Sequence, residues 1–187
     1  MISFIIAHTN LSHAWRSKMY TDPIAYFLTW TCYRTWLPGD QRRWTKWRKG
    51  ERIPQPLLED WCRNKMKGPA ITLNETQRSI VENSIRDHCK IRKWLLHAVN
   101  CRTNHCHCVV TAHSIDGEAV RDQFKSWCTR MLNEQAGSLK IHSTASPVKW
   151  WTKKGSVRYV FDDESLEAAT LYTLEAQDSG GSNFIGN

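Results

Sequence analysis

Two short runs, Trp94–Cys101 (WLLHAVNC) and His105–Ala112 (HCHCVVTA), are separated only by Arg102-Thr103-Asn104. Both are strand-like in composition, and so short a connection suits an antiparallel hairpin. Successive strand side chains point to opposite faces, so the second run sorts itself. His105, His107, Val109 and Thr111 share one face, and Cys106, Cys108, Val110 and Ala112 share the other. The second set is apolar and suits a face covered by helices. The two imidazoles are left side by side on the open face of the sheet, where they can hold one divalent cation. A pair of exposed strand histidines without a ligand is the plainer alternative. A zinc cluster of Cys101, Cys106 and Cys108 with the histidines is disfavoured, because alternation turns Cys106 and Cys108 away and no Cys-x-x-Cys pair exists.

Around this hairpin, the chain reads as alternating strands and helices. Ala25–Tyr33 (AYFLTWTCY) is aromatic and β-prone and stops at the turn Trp36-Leu37-Pro38-Gly39-Asp40. Residues 34–73 carry Pro38, Pro54, Pro56 and Pro69 with no sustained period, which predicts a long excursion with at most short helices. Asn74 with Gln77 resembles a reciprocal helix cap, and Val81, Ile85 and Cys89 recur at helical spacing, giving a helix near 75–91. After Asp116, the stripe Val120, Phe124, Trp127, Cys128, Met131 and Leu132 predicts a second helix closed by Gly137. Lys149–Phe161 reads as a fourth strand bent at Gly155, and Asp162 or Asp163 can cap a final helix near 163–178. This is the order of an α+β, ferredoxin-like split β-α-β sandwich: a four-stranded antiparallel sheet with two helices on one face, plus an added C-terminal helix. We expect one domain over 25–178 with 34–73 as its insertion, a loosely ordered extension over 1–24 containing a second candidate start at Met19, and a flexible tail over 179–187.

Projected at about 100° per residue, the final helix gathers Leu166, Leu171 and Leu174 on one side and sets Tyr172 roughly opposite, flanked by Ala168, Ala169 and Ala176. A phenol off the leucine stripe with little bulk around it suits attack on a closely approaching DNA backbone; an ordinary surface tyrosine is the alternative. Tyr159, in a strand, is expected to pack.

Lys and Arg outnumber Asp and Glu by 26 to 18, a net +8. The excess is uneven, since residues 159–187 hold six acids and no Lys or Arg. Basic and aromatic residues interleave through Arg34, Trp36, Arg42, Arg43, Trp44, Lys46, Trp47, Arg48 and Lys49, and again through Lys149, Trp150, Trp151, Lys153, Lys154 and Arg158. Cations that track phosphates beside indoles that stack on unpaired bases suit single-stranded DNA or hairpins. A solvated loop anchored by tryptophans is the alternative. Arg121 and Lys125, four apart on the second helix, are further candidates for backbone contacts. Seven cysteines without a disulfide framework favour a reducing, cytoplasmic setting, close to the nucleoid, and nothing reads as a secretory signal or membrane span.

Three motifs in order resemble the single-tyrosine transposase family of HUH endonucleases, especially its REP-associated branch, over about residues 25–178. They are Leu28–Tyr33 leading to Thr35–Asp40, His97–Asn100 through Asn104–Val110, and Arg158-Tyr159-Val160 with Leu171–Gln177. The resemblance implies cleavage and rejoining of single-stranded hairpin DNA. His105 and His107 would bind Mg²⁺ or Mn²⁺, and Tyr172 would form a 5′-phosphotyrosine intermediate. Relatives often place a Gln or Asn ligand four residues after the tyrosine, where this chain has Ala176. The resemblance therefore points to Gln177 as a further metal ligand, and helix geometry to Glu175, about 60° around from Tyr172 against about 140° for Gln177. Monomers and helix-exchanging homodimers both occur in the family. Two alternatives stand beside this reading: a domesticated module that binds DNA or RNA hairpins without cutting, and a replication or transfer nickase, which is usually larger.

Overall fold

The computed structural model describes residues 22–42, 44–46, 50–66, 68–138 and 148–175. The expectations for residues 1–21, Arg43, Ala176, Gln177 and the tail lie outside the described residues. The elements run β1 (Ala25–Thr31), β2 (Trp44–Lys46), β3 (Gly50–Arg52), α1 (Pro56–Lys65), α2 (Glu75–Arg92), β4 (Leu95–Cys101), β5 (His105–Thr111), α3 (Gly117–Ser138), β6 (Ser156–Val160) and α4 (Asp163–Leu174). The main sheet is antiparallel with order β4-β5-β1-β6. Helix α2 links β1 to β4 and α3 links β5 to β6, so two split β-α-β units interleave in the ferredoxin-like order. Among the described residues, no helix is long and apolar enough to cross a membrane.

Alternation decides which face the helices cover. Leu28, Trp30, Cys106, Cys108 and Val110 form one buried cluster with Val81, Ile85 and Cys89 of α2 and Val120, Phe124, Cys128 and Leu132 of α3. Helix α2 starts where the cap predicted it should: Asn74 Oδ1 accepts from the Gln77 backbone N–H at 2.9 Å, and Gln77 Oε1 accepts from the Asn74 N–H at 3.0 Å. Helix α4 lies against β4 and β5. Its start is capped by Asp162, whose carboxylate accepts from the Ser165 backbone N–H at 2.7 Å and also bonds the Ser165 hydroxyl.

Two expectations need correction. The fourth strand does not begin at Lys149. Trp151 makes one isolated bridge to Cys32, the chain turns at Lys154 (φ 67°), and β6 starts only at Ser156. Trp150 and Trp151 are consecutive yet both buried, with indole N–H groups donating to Asn133 on one side and to the Lys125 carbonyl and Thr129 hydroxyl on the other. Both indoles hold positions against α3, which strict strand alternation does not provide for two neighbours. The 34–73 excursion contains α1 as expected, and also the small β2–β3 hairpin, which the sequence reading did not anticipate.

Candidate active site

Register assembles the site. Across the sheet, Asn100 of β4, His107 of β5, Thr29 of β1 and Ser156 of β6 are successive partners, so their side chains form one row on the face opposite α2 and α3. His105 pairs with Thr31 one step along the same face. The two imidazole rings lie 4.8 Å apart between centroids. Asn104 Oδ1 accepts from His105 Nδ1 at 2.6 Å, which puts the ring's lone pair on Nε2. His107 Nδ1 and the Thr29 hydroxyl are bonded at 2.8 Å, so both rings are held by their Nδ1 edges, the support that metal-binding histidines use.

The face is not open, as alternation alone suggested. His107 is only 7% exposed, stacked on Phe27 and set edge-on to Tyr172 at 5.6 Å between centroids. Burial, reinforced by His105 and Arg102, pushes its pKa down to about 3, so the ring is neutral near pH 7. A neutral imidazole is the form a cation requires. On the other face, Cys106 and Cys108 are buried in the helix-layer cluster, turned away from the two histidines, and burial raises their thiols well above the ordinary range.

Tyr172 reaches the site by a route opposite to the one expected. Leu171 and Leu174 are exposed, and the inward side of α4 carries Thr173, fully buried, and Tyr172, whose ring meets both Phe27 and His107. Ser165, Ala168, Ala169 and Tyr172, at helical spacing, line a cavity of about 430 Å³ with Phe27, Thr29, His107, Ser156 and Arg158. Leucines turned inward would add bulk to that space. Thr170 and Thr173 can face in because their hydroxyls donate to the carbonyls of Leu166 and Ala169, four residues back. Asn100 pins the helix, donating from Nδ2 to the Thr173 carbonyl at 3.0 Å. Tyr159 meets Tyr26 edge-on and bonds Asp116, and its register with Tyr26 gives its side chain to the helix-layer face; it is not packed as expected but 44% exposed, and the residue also borders the site cavity.

The basic residues divide into four groups. Arg158 lines the site cavity. Arg34 and Arg42 line a second cavity of about 410 Å³ that reaches Asn104, the residue before His105. There Arg42 pairs with buried Asp40 and holds its carboxyl below the usual range, while Arg34 donates to the Arg63 carbonyl at 2.7 Å. Trp36, Lys149 and Lys153 line a third groove. The fourth group is turned inward. Arg121 is 3% exposed and donates to the Gly155 carbonyl, Lys125 donates to the carbonyls of Thr152 and Lys154, and Trp151 is buried. These three, with the Lys154 carbonyl, fasten the 151–155 segment to α3 and are corrected from DNA contacts to structural ones.

Glu175 is exposed at the end of α4, and among the described residues no third His, Cys, Asp or Glu gathers with His105 and His107. The residues that sequence reasoning missed are Thr29, Asn100, Asn104 and Phe27. Asn100 was within reach, because the hairpin alone sets it opposite His107; Thr29 and Phe27 depend on the non-local pairing of β1 with β5.

No family model and no curated protein matches the chain. Solved structures similar to it include the following two. One is a REP-associated tyrosine transposase bound to a REP hairpin, 13% identical with a TM-score of 0.46, covering 82% of this chain and 66% of that one. The chain thus spans slightly less than two thirds of that protein's length. The other, assigned as a transposase from Deinococcus radiodurans R1, is 14% identical with a TM-score of 0.41, covering 83% of this chain and 92% of that one. At identities this low, the chemistry of the site rests on its own residues.

Proposed function

We propose that this chain is a transposase-type endonuclease and strand transferase that cuts and rejoins single-stranded hairpin DNA. The observation that carries the proposal is the meeting of Tyr172 and His107 at one cavity with Arg158 on its wall, and of His107 with the neighbouring ring of His105. His105 and His107 fit a divalent ion as two of its ligands, each steadied through Nδ1. Mg²⁺ or Mn²⁺ supplies a Lewis acid for the scissile phosphate, and imidazole ligands suit Mn²⁺ better. Gln177 and Glu175 remain the candidates for a further ligand.

Tyr172 Oη attacks phosphorus, the bond from phosphorus to the 3′ oxygen breaks, and the phenol's proton is balanced by the proton gained on the 3′ oxygen. A 5′-phosphotyrosine link and a free 3′-hydroxyl result. The linkage keeps the phosphodiester's energy, so a 3′-hydroxyl can reverse the step and join strands without a nucleotide cofactor. Phe27 and His107 limit the swing of the Tyr172 ring, and Ala168 and Ala169 leave room for a backbone to approach. Arg158 contributes positive charge where the phosphate enters, and Arg34 and Arg42 sit where the strand continues past Asn104.

The test is incubation of the chain with labelled hairpin DNA in Mn²⁺ or EDTA, read by denaturing gel and mass spectrometry. A Mn²⁺-dependent adduct on Tyr172, absent in Tyr172→Phe, is expected. Tight binding without an adduct in Mn²⁺ would identify a hairpin-binding module instead. Because Tyr172 lies against His107 of its own chain, a mixture of Tyr172→Phe and His107→Ala chains is expected to remain inactive.

A further inference from the structure

The insertion builds a surface that the cutting reaction does not use. The turn at Gly39 (φ 93°) seats α1: the Gln55 N–H donates to the Gly39 carbonyl at 2.9 Å, and a Cβ on Gly39 would collide with the backbone of Gln55 and Glu59. This seating brings Trp61 of α1 beside Trp36 and Tyr33, two rings from a distant part of the sequence, around a groove of about 420 Å³. Trp36 is 41% exposed and Trp61 59% exposed, unusual for indoles in a folded domain. Cations accompany the rings. Lys149 Nζ lies 4.5 Å from the Tyr33 ring centre, Lys65 Nζ lies 6.0 Å from that of Trp61, and Lys153 lines the same groove. Leu37 borders both this groove and the arginine-lined cavity that reaches Asn104, so the two are neighbours.

We infer that this groove is a stacking platform for unpaired bases, with Trp61 and Trp36 as the surfaces on which they stack and Lys65, Lys149 and Lys153 beside the accompanying phosphates. A protein partner would find exposed rings equally useful, but three ammonium groups around them favour an anionic occupant, and only an unpaired strand offers π-faces and regularly spaced phosphates together. Every base has a π-face, so the grip is tolerant of sequence. The inference rests on the proposed function for its choice of DNA, and adds where the strand is held outside the reacting centre and by which residues.

The test measures binding of a fluorescein-labelled single-stranded oligonucleotide, and of a blunt duplex of equal length, to the full chain in EDTA by anisotropy. Trp61→Ala is expected to weaken single-strand binding by roughly 5- to 150-fold, the range set by the loss of one stacked base. Trp61→Phe should stay within about threefold, because a smaller ring still stacks, and duplex binding should change little. Lys149→Ala with Lys153→Ala should lower the salt slope of single-strand binding by about 1 to 1.5. Thermal melts confirm that each variant folds.

Equal binding of the single strand by Trp61→Ala and the unaltered chain overturns the inference, as does an equal loss on the duplex. A dimer in sedimentation that Trp61→Ala dissolves also overturns it, and assigns the groove to a second copy. Addition of Mn²⁺ to the same samples scores the Tyr172 adduct separately. An adduct with no Trp61 effect removes the platform alone, and a selective Trp61 effect with no adduct supports the platform while removing the cutting reaction.

Discussion

On one side of β5, Cys106 and Cys108 are fully buried in a cluster with Leu28, Phe124 and Cys128. On the other, His107 is nearly as buried, but it borders a cavity under a single short helix. The residues alternate along one strand, yet polar groups have different fates on the two sides. Toward the helix layer, they are consumed internally: Arg121, Lys125 and the Trp150 and Trp151 indoles all bond the protein's own backbone or side chains. Toward α4, Thr29, His107, Ser156 and Arg158 line a space that a ligand can enter. A face that must exclude water packs tightly, whereas a face with room for a ligand keeps its polar groups in a gap beneath the small residues Ser165, Ala168 and Ala169.

The largest expected effect separates the faces outright. His107→Ala should lower DNA cleavage by roughly 10²-fold or more, the scale of losing one preorganised electrostatic partner, while the chain stays folded. Cys108→Ser should do the reverse. A hydroxyl left without a partner in the core costs about 1–3 kcal/mol, lowering the melting temperature by roughly 2–4 °C per kcal/mol, with cleavage per folded molecule retained. Paired melts and cleavage rates decide; an unfolded His107→Ala, or a fully stable Cys108→Ser that cannot cut, would break the comparison.

A smaller effect probes how the site is held. Thr29→Val keeps the shape of the side chain but removes the oxygen bonded to His107 Nδ1, and calorimetry with Mn²⁺ should show a loss in affinity of about 10- to 100-fold, restored by Thr29→Ser. Unchanged affinity would mean that packing against Phe27 alone fixes the ring. Smaller again is Asn100→Ala, which releases the Thr173 carbonyl and should cost α4 about 1 kcal/mol. Amide exchange across α4 should then speed by about fivefold with α2 and α3 unchanged, as expected if α4 opens as its own unit. Equal acceleration in all three helices would make α4 part of the core.

Sequence reasoning read the helix-layer side well because its signals are local and apolar. The Asn74–Gln77 cap, the Val81–Ile85–Cys89 spacing and the alternation along β5 each depend on a few neighbouring residues. The same method read α4 inside out. A search for the packed side takes the leucine stripe, but Leu171 and Leu174 face outward because the helix covers polar side chains and a cavity. Tyr172 does lie opposite Leu171 and Leu174 with Ala168 and Ala169 beside it, as the projection predicts, but it is this side of the helix, not the leucine side, that faces the sheet. Charge was the least legible feature. Arg121 and Lys125 look like surface cations at their spacing, and only the path of the chain at 152–155 gives them carbonyls to bond.

Lys125 offers the finest test of that inward commitment. Burial, helped by Arg121 and opposed by Asp122, lowers its pKa from 10.5 to about 8, even though the carbonyls of Thr152 and Lys154 favour the ammonium. A lowered folded-state pKa means that, between pH 8 and 10.5, the folded chain holds fewer protons at this site than the unfolded chain. Stability from this group therefore rises as pH increases through that window and is flat below it, where both states are protonated. Lys125→Met removes the titration but keeps the buried stem, so the difference in urea midpoint between the two chains should move toward the unaltered chain from pH 8 upward. A Cε resonance titrating near 8 would confirm the cause. If the difference stays flat and the resonance titrates near 10.5, the two carbonyls hold the charge fully, and the helix-layer side tolerates a buried cation as well as the α4 side tolerates a buried neutral histidine.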